Sequence, residues 1–310
     1  MAGLEDDMRP RMFAARDRGE AFALITIVAA EGGGPRGLGS QMVVTRQYAA
    51  GFLSGGCIEA DVILHGREVL ADGVARHLVY GRGSPFVDTR LPCGGRLDLL
   101  VERITPDDAV LAELARMAGA RQAGWYLSDG VTRRTGLMEA AVPQGARVYL
   151  PARRLVVIGW DPFALAIAAQ GLNQSWNVVL LRPKGPDVPP PIPVIYRNGD
   201  LEEALAEIRL DDWTAVAIAT HDDDLDHAAL VSALGSQAGY VGVLGARRRL
   251  PERLEQLKVA GLSEAATARL QAPIGLAIGA RAPAEVAVSV IAQIIAQMSV
   301  RDEGGHRHGG

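Results

Sequence analysis

Apolar strand-like runs alternate with helical segments along the second half of the chain. Strands are predicted over residues 155–159, 177–181, 214–219 and 240–244, and helices between them over residues 162–173, 201–208 and 225–234. Links this short force neighbouring strands to be parallel, because each strand is followed by a helix that returns the chain to the same edge of the sheet. We therefore predict a Rossmann-like, doubly wound parallel sheet over residues 152–300, completed by an apolar helix over residues 283–298.

The first half has shorter strands separated by glycine-rich turns, which indicates an α+β domain over residues 1–151. Helices are predicted over residues 4–18 and 58–71, and strands over residues 21–29, 41–45, 51–54, 76–80 and 97–101, with a further short strand before Pro151 within residues 146–154. Pro151 breaks the last of these and sets the domain boundary. The fold class is thus α/β, and 310 residues at 48% hydrophobic content suffice for two cores. Residues 301–310, rich in glycine and histidine, are predicted to be a disordered tail.

Charge and composition exclude several classes of protein. The net charge of −4 lacks the basic excess of a nucleic-acid binder. The acidic start does not resemble a secretory signal, and no apolar run approaches the roughly 20 residues needed to span a bilayer, so we expect a soluble, cytoplasmic protein without a membrane segment. Cys57 and Cys93, the two cysteines, are then expected to be free thiols.

A glycine-rich segment over residues 32–40 surrounds Arg36 directly after the first predicted strand. Glycine allows the backbone to approach a ligand closely, and the arginine side chain presents a planar fork to a phosphate or oxo group. The segment therefore predicts an anion loop, although an ordinary tight loop has the same composition.

Both cysteines are flanked by glycines. Gly55 and Gly56 deliver Cys57 to the first turn of a predicted helix, where free amide groups and the positive helix end favour the thiolate. Cys93 precedes the pair Gly94 and Gly95. The cysteines lie 36 positions apart (93 minus 57) and neither belongs to a CxxC pair, so structural zinc is not expected. They are either soft ligands for a sulfur-rich or molybdenum-bearing compound or small buried hydrophobic residues.

The first strand of the second half ends in a partial dinucleotide fingerprint. Gly159 and Ala164 match the glycine template, but Asp161 replaces its central glycine. A carboxylate there caps the helix well and repels a pyrophosphate. The second strand also ends without the acidic residue of an NAD site, at residues 181–184. Ordinary NAD binding is therefore disfavoured.

Two further candidates follow later strands of the same predicted sheet, at the edge where ligands of such sheets bind. His221 is either a base or substrate contact, while the acidic run behind it is a functional group or merely caps the next helix. Gly245 and Arg247 begin a segment with three arginines, which either clamps a phosphate or is a solvated helix face.

Taken together, these segments resemble the XdhC/CoxI family. The pieces G-P-R-G-L-G, S-G-G-C-I-E and C-G-G are similar to its first domain, and A-T-H-D-D-D-L-D, Y-V-G-V-L-G-A-R-R-R and A-P-I-G-L-A-I-G-A-R-A-P-A-E-V-A-V-S to its Rossmann-like domain. The chain departs from the family at residues 159–162, where members keep a more ordinary glycine turn. The family's cofactor-linked cysteines fall on Cys57 and Cys93, with Arg36, Glu59 and the neighbouring glycines as motif positions.

The resemblance implies a chaperone rather than an enzyme. Such a protein binds molybdenum cofactor, a molybdopterin with or without an added nucleotide. It holds the cofactor while a cysteine desulfurase installs the sulfido ligand, and inserts it into an apo-molybdoenzyme of the xanthine dehydrogenase family. The alternatives are an NAD(P)-dependent oxidoreductase using the second domain, and a scaffold that binds the partner proteins without cofactor. A homodimer is the expected assembly.

Overall fold

The computed structural model of this protein describes residues 6–32, 36–84, 94–139, 141–245 and 247–304, the last five without their side chains. The chain divides into two compact units, Met1–Pro151 and Ala152–Gly310. The first is α+β and the second contains a parallel sheet with helices on both faces, which confirms the predicted α/β fold class.

The first unit is built on a five-stranded antiparallel sheet in the order β3-β2-β1-β5-β4. Its strands are β1 (Phe22–Glu31), β2 (Gln41–Val44), β3 (Ala49–Gly51), β4 (Arg76–Gly81) and β5 (Arg96–Ile104). Strand β1 is central and fully buried along its first half, as its run of branched residues predicts.

Helix α2 (Glu59–Asp72) packs on one face of this sheet and buries Val62, Val69 and Leu70 against it. Each of these side chains contributes about 1.5–3 kcal/mol by leaving water. The helix ends at Gly73, whose left-handed φ of 75° closes its last turn.

The opposite face carries a second apolar cluster, formed with α1 (Arg9–Asp17) and α3 (Ala109–Gly119). It also includes residues of a three-stranded sheet in the order β7-β6-β8, with β6 (Gly124–Ser128), β7 (Arg133–Leu137) and β8 (Arg147–Tyr149). Fully buried Glu102 on β5 joins the two sheets by accepting hydrogen bonds from Tyr126, Ser128 and Arg133 at 2.7–2.8 Å.

Several predictions for this unit are wrong in detail. Helix α3 and strands β6 and β7 were not predicted. The predicted strand 51–54 lies instead at Ala49–Gly51, because the chain leaves the sheet at Gly51, where a Cβ would lie 2.7 Å from the Gln41 carbonyl oxygen. The short strand predicted before Pro151 is confirmed as β8, Arg147–Tyr149.

The second unit contains six parallel strands in the order β11-β10-β9-β12-β13-β14. They are β9 (Arg154–Gly159), β10 (Asn177–Leu181), β11 (Ile195–Arg197), β12 (Thr214–Ala219), β13 (Tyr240–Val243) and β14 (Leu270–Gln271). The chain builds outwards from β9 to β11, then returns to the other side of β9 with β12. The predicted doubly wound parallel sheet is confirmed, and its strand order reverses between β9 and β12.

Helices cover both faces of this sheet. Helices α4 (Pro162–Asn173) and α9 (Pro283–Gly304) pack on one face, and α5 (Leu201–Ile208), α6 (Asp223–Leu234) and α7 (Leu250–Val259) on the other. Aspartates at positions 161, 200 and 222 cap α4, α5 and α6 through their side chains. Helix α7, the short α8 (Glu264–Thr267) and β14 were not predicted.

Helix α9 continues six residues beyond its predicted end at Met298 and includes the first four positions of the predicted tail. The rest of that tail, residues 305–310, lies outside the described residues. Within the described ranges, no helix has the length and apolarity that crossing a membrane requires.

Candidate functional site

Three of the predicted glycine segments leave the first sheet at one edge, here called the glycine-loop edge. Strand β1 ends there at Glu31, which pairs with Arg96 at the start of β5, and β4 ends at Gly81 opposite the same arginine. Strand β3 ends there at Gly51, opposite Met42 near the start of β2. Antiparallel pairing therefore gathers the links 32–40, 52–58 and 82–95, which are far apart in sequence.

Contacts between described residues confirm that these links are adjacent. A Cβ on Gly32 would lie 3.2 Å from the Cα of Gly95, so the first and third links meet backbone to backbone. The guanidinium of Arg36 lies 4.6 Å from the ring centroid of Phe52, which joins the first link to the second. Gly94 is exposed in a left-handed conformation and Gly95 is buried.

The loop before α2 is held together by one carboxylate. Glu59 accepts hydrogen bonds from the backbone amides of Leu53, Ser54 and Gly56 and from the Ser54 hydroxyl, all at 2.7–2.8 Å, and a longer one from the amide of Ile58. Burial by itself raises the pKa of Glu59, but these hydrogen bonds outweigh it and lower the pKa to about 2. The carboxylate is therefore ionised at neutral pH, and its hydrogen bonds hold the loop before α2 together.

Cys57 stands at the exposed tip of this loop, behind Gly55 and Gly56, whose φ values are +89° and +114°. Exposure removes the interpretation of Cys57 as a small buried hydrophobic residue. One expectation for this cysteine is wrong, however. It precedes the N-cap Ile58 rather than lying in the first turn, and the amides of positions 56–58 are hydrogen-bonded to Ser54 and Glu59 instead of being free.

The second predicted cysteine, Cys93, lies outside the described residues, as do positions 33–35 of the glycine-rich segment. The described part of the edge thus supplies one exposed thiol, glycine backbone and the guanidinium of Arg36. These groups suit an anionic compound with a soft end.

A second arginine reaches this edge, and no sequence motif indicated it. Arg147 of β8 contacts the same carboxylate as Arg36, that of Asp6, at 3.3 Å. A Cβ on Gly39 would lie 3.4 Å from the Cδ of Arg147, so the turn of the first link packs against the arginine side chain. Local patterns do not mark Arg147, because only the three-stranded sheet brings it here.

In the second unit, the carboxyl ends of the parallel strands form what is here called the carboxyl edge. Gly159 at the end of β9 lies so close to β12 that a Cβ would be 2.1 Å from the Ala219 carbonyl oxygen. Asp161 follows, and its Oδ1 accepts a hydrogen bond of 2.8 Å from the amide of Ala164. The carboxylate therefore occupies the N-terminus of α4, where a dinucleotide pyrophosphate would bind.

His221 bridges the point where the strand order reverses. Its Nε2 donates to Asp161 Oδ2 at 2.7 Å, which links the end of β12 to the end of β9. His221 is 58% exposed at its side chain and has a φ of +59°, an unusual conformation for a residue other than glycine. His221 is a candidate from the sequence and Asp161 was predicted as a helix cap. Their pairing was not predicted, although their positions after two adjacent parallel strands carry that signal.

The acidic run after His221 is structural. Asp222 caps α6 by accepting from the amides of Asp224 and Leu225, each at 3.1 Å. Asp226 is buried, accepts from Thr220 and pairs with Arg253 at 2.9 Å. The capping interpretation therefore holds for Asp222, and Asp226 is held by contacts inside the fold, while His221 remains available to a ligand.

Gly245 and Arg247 lie exposed after β13. Arg247 belongs to a short 3-10 turn and contacts no acid among the described residues, whereas Arg249 of the same turn pairs with Asp223. A cofactor contact at Gly245 or Arg247 stays a prediction.

Known proteins match both units. The XdhC and CoxI family model matches residues 15–81, and the XdhC Rossmann domain model matches residues 155–294. The molybdenum cofactor insertion chaperone PaoD of Escherichia coli (strain K12) is 31% identical over 285 residues, which are 89% of this chain and 83% of PaoD.

Two further relatives extend the likeness. A probable xanthine dehydrogenase subunit of Bacillus subtilis (strain 168) is 24% identical over 329 residues, covering 89% of this chain and 93% of that protein. The crystal structure of a xanthine dehydrogenase from Bacillus halodurans matches with a TM-score of 0.72 at 22% identity, over 94% of this chain and 96% of that one. The structural match shows that the fold is shared. With two family models on its two units and 31% identity to PaoD along most of both chains, this protein belongs to the XdhC and CoxI family.

Proposed function

We propose that this protein binds molybdenum cofactor as cargo and inserts it into an apo-molybdoenzyme of the xanthine dehydrogenase family. The observation that carries the proposal is the glycine-loop edge, where an exposed thiol at Cys57 and the guanidinium of Arg36 stand on loops gathered from three parts of the chain. The likeness to PaoD, itself a molybdenum cofactor insertion chaperone, supports the same role.

Cys57 supplies the soft contact of this proposal. A thiolate suits molybdenum or the sulfur atoms of its pterin ligand, and the Glu59 scaffold holds the loop that presents it. We assign Cys93 and the glycines at positions 55, 56, 94 and 95 to the same function. While the cofactor is held, a cysteine desulfurase partner installs its sulfido ligand. We also propose a cytoplasmic homodimer, with His221 and Arg247 contacting the cargo or a partner.

The test is metal and pterin analysis of protein purified from a host that synthesises the cofactor. We expect comparable molybdenum and pterin contents, near one of each per chain. Cys57→Ala and Cys57→Ser should both lower the amount retained after desalting, because each removes the soft sulfur. Val131→Ala, at a position 90% exposed in another part of the first unit, is the matched control.

Neither molybdenum nor pterin in any preparation would contradict the proposal. Together with a stable complex with an apo-molybdoenzyme or a desulfurase, that result would favour a cofactor-free scaffold. Unchanged retention in both Cys57→Ala and Cys93→Ala would remove the thiolate from the proposal and leave only the cofactor-binding role.

A further inference from the structure

Arg36 and Arg147 form a pair of guanidinium groups in the first unit, here called the arginine pair. Their side chains are only 17% and 18% exposed, and both contact the carboxylate of Asp6. The Asp6 side chain is 59% exposed. Two largely buried cations therefore share one carboxylate, which is itself mostly in solvent.

Neighbouring acids do not complete the charge balance. Asp7, the next residue along the chain, is taken up by Arg9, whose Nε and Nη2 donate to it at 2.7–3.0 Å. Burial and, second, repulsion from Arg147 hold the pKa of Arg36 below its usual value. Within the described residues, the arginine pair thus keeps one positive charge in excess.

The arginine pair also has hydrogen-bond donors that meet no acceptor among the described residues. The Nε of Arg36 and the Nε of Arg147 are both buried, and neither meets an acceptor in the described part of the chain. Buried polar hydrogens are nearly always hydrogen-bonded in folded proteins, so unmet donors on two arginines that share one carboxylate are unusual. A tetrahedral oxyanion could accept from both arginines.

The two guanidinium groups are held in place by their surroundings. Arg36 lies 4.6 Å from the ring centroid of Phe52, and Arg147 lies 5.6 Å from that of Tyr149. Tyr149 is itself fixed, because its hydroxyl donates to Gln41 at 2.5 Å. Donors oriented in advance lose less freedom when a ligand binds.

We propose that the arginine pair binds a phosphate monoester dianion and that this ligand displaces Asp6. A dianion balances two guanidinium groups, whereas Asp6 supplies a single charge, and planar forks recognise phosphate by paired hydrogen bonds. This inference deepens the proposed function, on which the identification of the ligand as the phosphate of a pterin cargo rests. Phe52 then connects the phosphate end to the loop that presents Cys57.

The test titrates purified full-length protein with methyl phosphate and follows binding by broadening of the ligand's phosphorus NMR signal. We expect saturable binding that Arg147→Gln weakens about tenfold or more, because charge-assisted hydrogen bonds are lost. Arg134→Gln removes an exposed arginine from the same three-stranded sheet and should change the affinity less than about twofold. Asp6→Asn should tighten binding about fivefold, because it removes the competing charge.

Absence of saturable binding in both the wild type and Asp6→Asn would overturn the inference, as would equal losses in Arg147→Gln and Arg134→Gln. If Arg147→Gln fails to fold, as judged by circular dichroism, Arg147→Lys replaces it. That variant keeps the charge, loses the fork, and should still bind several-fold more weakly. Affinity equal to the wild type in Arg147→Lys would also contradict the inference.

The two proposals fail separately. Arginine-dependent binding of methyl phosphate in a protein that never carries molybdenum or pterin would leave the phosphate site standing and remove the chaperone function. Normal cofactor retention without any binding of methyl phosphate would leave the chaperone function standing and remove the phosphate site.

Discussion

The two edges that carry the candidate residues differ in how their charges are matched. Beside the carboxyl edge, Arg249 pairs with Asp223 and Arg253 with Asp226, so each of these two arginines has an acid of its own. At the glycine-loop edge, Arg36 and Arg147 share Asp6, while the carboxylate of Glu59 is used on backbone amides of its loop.

A charge that is already paired within the fold serves the structure, whereas a charge without its own partner is available to a ligand. The pairs Arg249–Asp223 and Arg253–Asp226 balance each other's charge and need no further partner. Unmatched, partly buried guanidinium groups beside glycine backbone attract an anion instead. This contrast supports the proposal that the main binding function lies at the glycine-loop edge, although the Rossmann-like unit has the more familiar ligand-binding fold.

The largest expected effect tests whether the carboxyl edge is built mainly for structure. Gly159→Ala places a Cβ 2.1 Å from the Ala219 carbonyl oxygen, and we expect the free energy of unfolding to fall by about 2–4 kcal/mol. Gly199→Ala, where a Cβ meets nothing within 4 Å, is the control in the same unit. Urea denaturation followed by tryptophan emission measures both. A loss below about 0.5 kcal/mol in Gly159→Ala would mean that the edge adapts easily.

The next prediction concerns the scaffold of the glycine-loop edge. Glu59→Gln should lower the free energy of unfolding by about 1–2 kcal/mol at pH 7, because the ionised acceptor of five hydrogen bonds is lost and solvent screens part of the effect. Since the folded pKa is about 2 against an ordinary 4.5, the stabilisation is complete above about pH 4.5 and is lost as the pH falls towards 2. Denaturation at several pH values should show that the difference in free energy of unfolding between the wild type and Glu59→Gln shrinks over that window. A difference independent of pH would contradict the role of the charge.

A smaller effect separates the two contacts of Asp161. Asp161→Ala removes both the cap of α4 and the partner of His221, and should lower the free energy of unfolding by about 1 kcal/mol. Asp161→Asn keeps a capping oxygen and should lower the free energy of unfolding by only a few tenths of about 1 kcal/mol. Chemical denaturation of both variants gives the comparison. Equal losses would show that the contact with His221, rather than the cap, dominates.

The smallest expected effect concerns nicotinamide nucleotides. NAD(H) and NADP(H) at millimolar concentration should not quench tryptophan emission saturably, because the Asp161 carboxylate occupies the helix end that a pyrophosphate needs. Trp160, 36% exposed beside it, is the reporter. Asp161→Gly completes the G-x-G-x-x-A template. This variant tests whether the carboxylate is the group that prevents nucleotide binding. Saturable quenching in the wild type would support the oxidoreductase alternative.

Much of the second unit follows from its sequence up to β13, whereas α7, α8 and β14 were not predicted. The apolar runs of β9, β10 and β12 predict the alternation, and parallel order follows from the short links. Helix α3 has the local signature of a helix, with a cap at Asp108 and buried Leu111, Leu114 and Met117 at helical spacing, but it was not predicted. Strand β7 is short and half-exposed, so no strong periodicity marks it.

The sequence by itself determined that two glycine-flanked cysteines and an arginine stand in the links between strands, and that Asp161 disfavours an ordinary NAD site. Tertiary structure decided which groups meet. Antiparallel pairing brings the loops of Arg36, Cys57 and Gly95 to one edge, and the three-stranded sheet adds Arg147. The fold also directs Asp161 to His221, 60 positions away. Local patterns carry backbone conformation and burial, whereas the partner of a charge depends on contacts between segments far apart in the chain, which no local pattern contains.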